Sequence, residues 1–280
     1  MVLGTDLTGK MAVVTGAGGI LCGMFARTLA RAGAAVALLD INLEAAEETA
    51  RDIREAGGTA AAYGVDVMDK EMLESVHARV LARLGPCDIL INGAGGNQAR
   101  ANTSKEYFEM GDIEADVATF FDMEYKGVQG VLDLNFLGGF LTCQVFAKDM
   151  VGREGCNISN ISSASAARPL TRIPVYSGAV AALSNFTQWL AVHFAKAGIR
   201  VNAIAPGFFV TRQNEGLLYE EDGKPAARTA KVLAATPMGR FGRPEELNGA
   251  LMFLLNNEAA GFITGIILPV DGGFSAYSGV

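Results

Sequence analysis

Histidine is almost missing from this chain: His77 and His193 are the two among 280 residues. Two are too few for a histidine-built metal site, and no metal is expected. Cysteine is scarce as well. Cys22, Cys87, Cys143 and Cys156 stand at no metal or disulfide spacing, which predicts reduced thiols in a cytoplasmic protein. Basic residues are outnumbered, 23 Lys+Arg against 30 Asp+Glu, for a net charge of −7 and a pI near 5.0. That balance argues against nucleic acid as a partner, and an anionic substrate would need a local cluster of basic side chains. No apolar run reads as long enough to span a bilayer, so no membrane partner is expected. The first residues, Met1-Val-Leu-Gly-Thr-Asp6, lack the basic-then-apolar layout of a signal peptide. Repeats, low-complexity tracts and linkers are absent too.

What is present is apolar sequence (50%) and 34 glycines, which suits one large α/β domain over residues 1–280. Short β-rich runs alternate with helical patterns. Strands are predicted at 10–15, 35–40, 59–65, 88–92, 158–161, 199–204 and 263–270, and helices after the first glycine turn, at 44–56, 70–84, 126–150 and 176–197. Alternation of this kind implies right-handed crossovers and a parallel sheet covered on both faces, with the ligand at the carboxyl ends of the strands. Two stretches interrupt it. One is an insertion at about 96–125 carrying Tyr107, Phe108, Phe120, Phe121 and Tyr125; the other is a loop at about 206–243 rich in Gly, Pro and charge. Both follow strands, so both are expected over the ligand as lid or specificity loop. Most of the aromatics are expected to pack the insertion against the body.

Thr15-Gly-Ala-Gly-Gly-Ile-Leu-Cys22 lies between the first strand and a helix. Gly16 permits a sharp turn, Gly18 and Gly19 permit close approach to a pyrophosphate, and Ile20 and Leu21 open the helix whose N-terminus supplies donors. Asp40 ends the second strand about twenty residues on, where a carboxylate accepts from adenosine ribose hydroxyls and repels a 2′-phosphate. No Lys or Arg stands in the turn or beside Asp40, so NAD(H) is expected in preference to NADP(H).

Further motifs follow in order: Asp66-Val67, Asn92-Gly-Ala94-Gly95, Leu134-Asn135-Phe-Leu-Gly138, Ser162-Ser163, Tyr176, Asn202-Ala-Ile-Ala-Pro206-Gly207 with Thr211, and Pro269-Val-Asp-Gly-Gly273. With them the chain resembles the short-chain dehydrogenase/reductase family along essentially its whole length. The resemblance implies a single Rossmann-type doubly wound sheet. It implies that Asp66, Val67, Asn92, Ala94, Gly95, Pro206, Gly207, Phe209 and Thr211 border the cofactor. It makes Tyr176 the general acid/base, Ser163 the donor to the substrate oxygen and Asn135 the holder of a proton-relay water. Two departures stand out. Ile20 and Cys22 occupy places where the family usually has glycine. More serious, the lysine that follows the family's tyrosine by four residues is Val180 here. Without that ammonium a tyrosine is a poor base at neutral pH, which predicts slow turnover with a raised pH optimum, or a silent NAD-binding pseudoenzyme. An altered copy of an active enzyme fits the residues equally.

Within the family the chain is similar to the branch named for D-mannonate oxidation, or fructuronate reduction. That implies a small sugar-acid substrate. Asn97, Arg168, Phe208 and Asn214 are the candidate substrate residues, Arg168 the first choice for the carboxylate. The resemblance also implies a homotetramer that uses the two long helices.

Overall fold

The computed structural model describes residues 4–210 and 226–279. Seven parallel strands form one sheet in the order β3-β2-β1-β4-β5-β6-β7. They are β1 (Met11–Thr15), β2 (Ala35–Asp40), β3 (Thr59–Gly64), β4 (Ile89–Asn92), β5 (Cys156–Ile161), β6 (Ile199–Pro206) and β7 (Ile267–Val270). The chain winds outward from β1 to β3, then restarts at β4 on the other side of β1. The reversal opens a crevice beyond the carboxyl ends of β1 and β4, where an open parallel sheet binds its ligand.

β1 is buried along its whole length, as continuous apolar runs demand when helices cover both faces. One face packs under α1 (Ile20–Arg31), α2 (Leu43–Glu55) and a late helix at Glu246–Leu255, through Phe25, Leu29, Ile53 and Leu251. The other packs under α3 (Lys70–Leu84), a long composite helix and α6 (Pro174–Phe194), through Leu73, Phe146, Met150 and Leu183. Local signals set the helix ends: the Asp69 carboxylate accepts from Met72 N–H at 2.9 Å, and Gly85, at φ 97°, stops α3.

The composite helix runs from Tyr125 to Met150 as α4 (Tyr125–Leu132), a π-turn (Asp133–Leu137), α5 (Gly138–Phe146) and a closing 3-10 turn. Contrary to the sequence expectation, this 26-residue helix holds a stretch long and apolar enough to cross a bilayer. Here it is a wall of the domain, with Val131, Cys143 and Phe146 buried.

Two further expectations are corrected. β7 begins at Ile267, four residues later than predicted. Ile263 instead offers its carbonyl to Arg200 and Asn202 side chains at 3.2 and 3.1 Å, and Gly265 turns at φ 82°. The insertion folds as three 3-10 turns, at Ala99–Ala101, Met110–Ile113 and Phe120–Asp122. Its aromatics do not pack on the body: Tyr107, Phe108, Phe120, Phe121 and Tyr125 are 50–77% exposed. Phe121 instead meets Phe108 and Phe120 edge to face. Buried Ala101 is the insertion's apolar anchor, packed with Val131 and Ala179.

Candidate active site

β1 delivers the chain to Gly16, whose φ of 68° only glycine adopts freely. A side chain on Gly16 would lie 2.9 Å from the Ala94 backbone, and one on Gly18 would meet Ala45 Cβ at 2.8 Å and Asp40 Oδ2 at 3.1 Å. Gly18 N–H donates to Asp40 Oδ2 at 2.9 Å, and Asn42 N–H donates to the other carboxylate oxygen at 2.8 Å. Gly19 caps α1 with no side chain of its own, so the first-turn N–H groups at Ile20 and Leu21 open onto the crevice. The resulting cavity, about 400 Å³, is lined by Gly16, Gly19, Ile20, Leu21, Asp40 and Gly95, and also by Asn42 and Ala45. The last two escaped the sequence reading; the signal for them was proximity to Asp40. Cys22 is buried beside Gly93, filling the space that a Cβ there would need. Burial and the nearby Asp40 charge push its thiol up to about 12, so it is packing, not a nucleophile.

Across the crevice, Thr15 Oγ1 accepts from Gly93 and Ala94 N–H at 3.0 and 3.1 Å, which ties the loop after β4 to the end of β1. Other predicted cofactor residues sit further back. The Asn92 side chain is buried behind the crevice and donates to Asn160 Oδ1 at 2.8 Å and Cys143 Sγ at 3.1 Å; its role is to join β4 to β5. Val67 is buried, its place against Gly138 leaving no room for a side chain there, and the Asp66 carboxylate accepts from Met68 N–H at 2.9 Å. Neither lines the cavity. Pro206 ends β6, and Gly207 N–H donates to Val270 carbonyl at 3.0 Å. Phe209 turns inward, over Gly242 and into the apolar layer. Thr211 and Asn214 lie outside the described residues.

The catalytic candidates come from three elements. Asn135 is buried in the π-turn. Its amide donates to the carbonyls of Gly96 (2.6 Å) and Val131 (2.8 Å), and its oxygen accepts from Gly96 N–H at 3.0 Å. It therefore clamps the loop after β4 to the composite helix. Ser163 follows β5, and its hydroxyl oxygen accepts from Ser165 N–H and Ser165 Oγ at 3.2 and 3.0 Å. Its own proton is then free for a further acceptor. Tyr176 lies in the first turn of α6. Burial pushes its phenol above the ordinary value, and a hydrogen bond with Ser163 draws it partly back. No cation contributes. Val180, one turn on, is 2% exposed, and its carbonyl accepts from Ser162 Oγ (3.2 Å) and Ser184 Oγ (2.9 Å). Lys196 lies in the 3-10 turn that ends this helix, at its far end.

A larger chamber, about 580 Å³, is lined in part by Ile173, which caps α6 three residues before Tyr176. Phe208 and Arg168 line it; Asn97 does not, and pairs instead with Asn102 at 3.0 Å.

Residues 19–275 match a family model described as enoyl-(acyl carrier protein) reductase. An uncharacterized oxidoreductase of Haemophilus influenzae is 54% identical over 98% of this chain and 96% of its own length. Another from Bacillus subtilis is 49% identical over 98% of each. A Haemophilus influenza crystal structure with bound NAD, provisionally named a D-mannonate oxidoreductase, superposes with a TM-score of 0.95 at 53% identity, covering 98% of both chains.

Proposed function

Because the chain belongs to the short-chain dehydrogenase/reductase family, we propose that it is an NAD(H)-dependent oxidoreductase of a sugar acid, of the D-fructuronate/D-mannonate type, working slowly because Val180 replaces a cation. The observation that carries this reading is the pairing of Tyr176 with Ser163, which follows β5 at the same carboxyl-end side of the sheet as the Gly18–Asp40 cradle. The glycine turn fits a dinucleotide: its backbone is bare of side chains, a Cβ at Gly16 or Gly18 being barred by Ala94, Ala45 and Asp40, and Asp40 presents a carboxylate to a ribose. NAD(H), when bound, gives or takes the hydride. The chain's own groups handle the oxygen. Ser163 donates to the substrate carbonyl, and Tyr176 passes a proton to the same oxygen as it becomes an alcohol. A phenol held above its ordinary pKa stays protonated at neutral pH. With no cation to stabilise the phenolate, Tyr176 is a weak base for oxidation and a weak acid for reduction, so the missing cation slows both directions. The bound NAD and the sugar-acid name of the Haemophilus structure support the cofactor and substrate class.

The reading is tested by NADH oxidation with a panel of keto-sugar acids, fructuronate included, alongside neutral ketoses. Preferential turnover of the neutral ketoses would sink the sugar-acid assignment. A second reading, a silent NAD-binding protein, is favoured by the buried hydrocarbon at Val180. Tight NADH binding without any turnover across the panel would establish it. We also infer a cytoplasmic homotetramer. Trp189 and Val192 on α6 are 56% and 80% exposed, and Leu132 on α4 is 40% exposed, which leaves apolar surface on both long helices for a second copy. A monomeric mass by light scattering would refute the assembly.

A further inference from the structure

The chamber lined by Ile173 is opposite in sign to the molecule that contains it. Arg168, Arg172, Arg228 and Lys231 line it with a single carboxylate, Glu106, in a chain of net charge −7. A concave wall of one sign concentrates field and draws in a counter-ion.

The four cations are not equivalent. Lys231 Nζ lies 2.7 Å from Glu106 Oε1, so its charge is met within the wall. Arg168 donates through Nη1 to the Tyr277 carbonyl, which commits it to the C-terminal tail. Arg172 donates through Nε to the Thr103 carbonyl at 3.1 Å, and Thr103 N–H returns a bond to the Arg172 carbonyl at 3.0 Å. Its guanidinium is thus held at the stem while both Nη groups stay available. Arg228, on the helix Ala227–Ala234, makes no hydrogen bond or ion pair among the described residues. Ile173, which also lines the chamber, caps α6 three residues before Tyr176.

We infer that Arg172 and Arg228 grip the substrate carboxylate, and that Arg168 is a tether for the tail rather than a ligand. The inference rests on the oxidoreductase reading and sharpens it: the substrate is a hydroxy or keto acid, anchored at Arg172 with its skeleton running over Ile173 toward Tyr176. A fixed guanidinium with two free nitrogens suits a carboxylate, because the planar fork pairs both oxygens.

Calorimetric titration of the full chain loaded with NADH tests this without turnover, since D-mannonate is already the reduced partner. D-mannitol serves as the neutral match and cyclohexanecarboxylate as an acid without hydroxyls. Native protein is expected to prefer D-mannonate to D-mannitol by at least about tenfold. R172Q and R228Q should each weaken D-mannonate by roughly ten- to a hundredfold, the scale of a charge-assisted hydrogen bond. R168Q should change it by less than about threefold, as a residue bonded elsewhere in the fold, and R172K should fall between R172Q and native because it keeps the charge and loses the fork. NADH affinity, measured alongside, should hold in all variants. Loss confined to R168Q overturns the inference and leaves the sugar-acid reading standing. Equal grip on cyclohexanecarboxylate, still dependent on Arg172 and Arg228, supports the inference and sinks the sugar-acid reading. D-mannitol binding as tightly as D-mannonate overturns both, and a parallel fall in NADH affinity overturns the assignment of these arginines to substrate.

Discussion

The two ends of the cleft meet their tasks by different means. At the glycine end the work is carried by backbone: Gly18 N–H on Asp40, Asn42 N–H on the same carboxylate, and turns that no side chain can enter. At the tyrosine end the family's chemistry rests on single side chains, and where the family has a lysine this chain has the hydrocarbon of Val180. The difference leaves the fold untouched for a visible reason. What residue 180 contributes to the architecture is its carbonyl, which holds Ser162 and Ser184, and every residue has a carbonyl. The comparison teaches that a binding site written in backbone resists drift, while chemistry resting on one ammonium is lost with no structural penalty.

The largest effect that would sharpen this contrast is expected from Val180→Lys. It should raise turnover by ~10² to 10⁴, the range of an acid–base contribution; an unchanged rate in steady-state assays would show that the site activates Tyr176 by other means. The pH dependence follows from the direction of the Tyr176 shift. Because its pKa is raised, the phenolate required for oxidation is scarce at neutral pH, and the oxidation rate of the native chain should still be climbing where free tyrosine ionises, near pH ~10. Val180→Lys should bring that limb down, and a profile that does not move breaks the account. Tyr176→Phe in the lysine background should remove the gained activity, again by about 10² or more. At the other end, Asp40→Ala should narrow the NADH over NADPH preference by roughly tenfold, through one lost charge-assisted hydrogen bond and one lost repulsion; parallel nucleotide titrations would detect it. The smallest change is expected in stability. Asn135→Ala strands both polar groups of Gly96 and should cost about 1–3 kcal/mol, measured by denaturant unfolding with NADH absent.

Much of this was legible in the chain, and the failures have causes. α3 ran from Lys70 to Leu84 as its apolar spacing and Gly85 predict. The Gly16–Asp40 cradle was legible because its chemistry follows from where glycine and carboxylate fall relative to two strands. β7 was overextended because Ile263 and Ile266 look like strand residues; only the fold reveals that Arg200 and Asn202 claim that backbone. Asn92 and Phe209 belong to the right motifs, yet their side chains turn into the core, since a motif fixes position along the chain and not the direction of a side chain. Arg228 was missed altogether. It stands some sixty residues from Arg168 in sequence, and nothing local announces that the two share a wall.

The π-turn at Asp133–Leu137 has a consequence for how this chain can change. One residue more than an α-helix needs is stored in that turn, and each residue of an α-helix advances it by about 100°. Losing a single codon there would straighten the helix while leaving its composition almost intact, and would swing Asn135 away from Gly96 relative to everything after Gly138. Insertions and deletions in this stretch are thus expected to be far more damaging than substitutions, so the segment's length is as much a part of the site as its side chains.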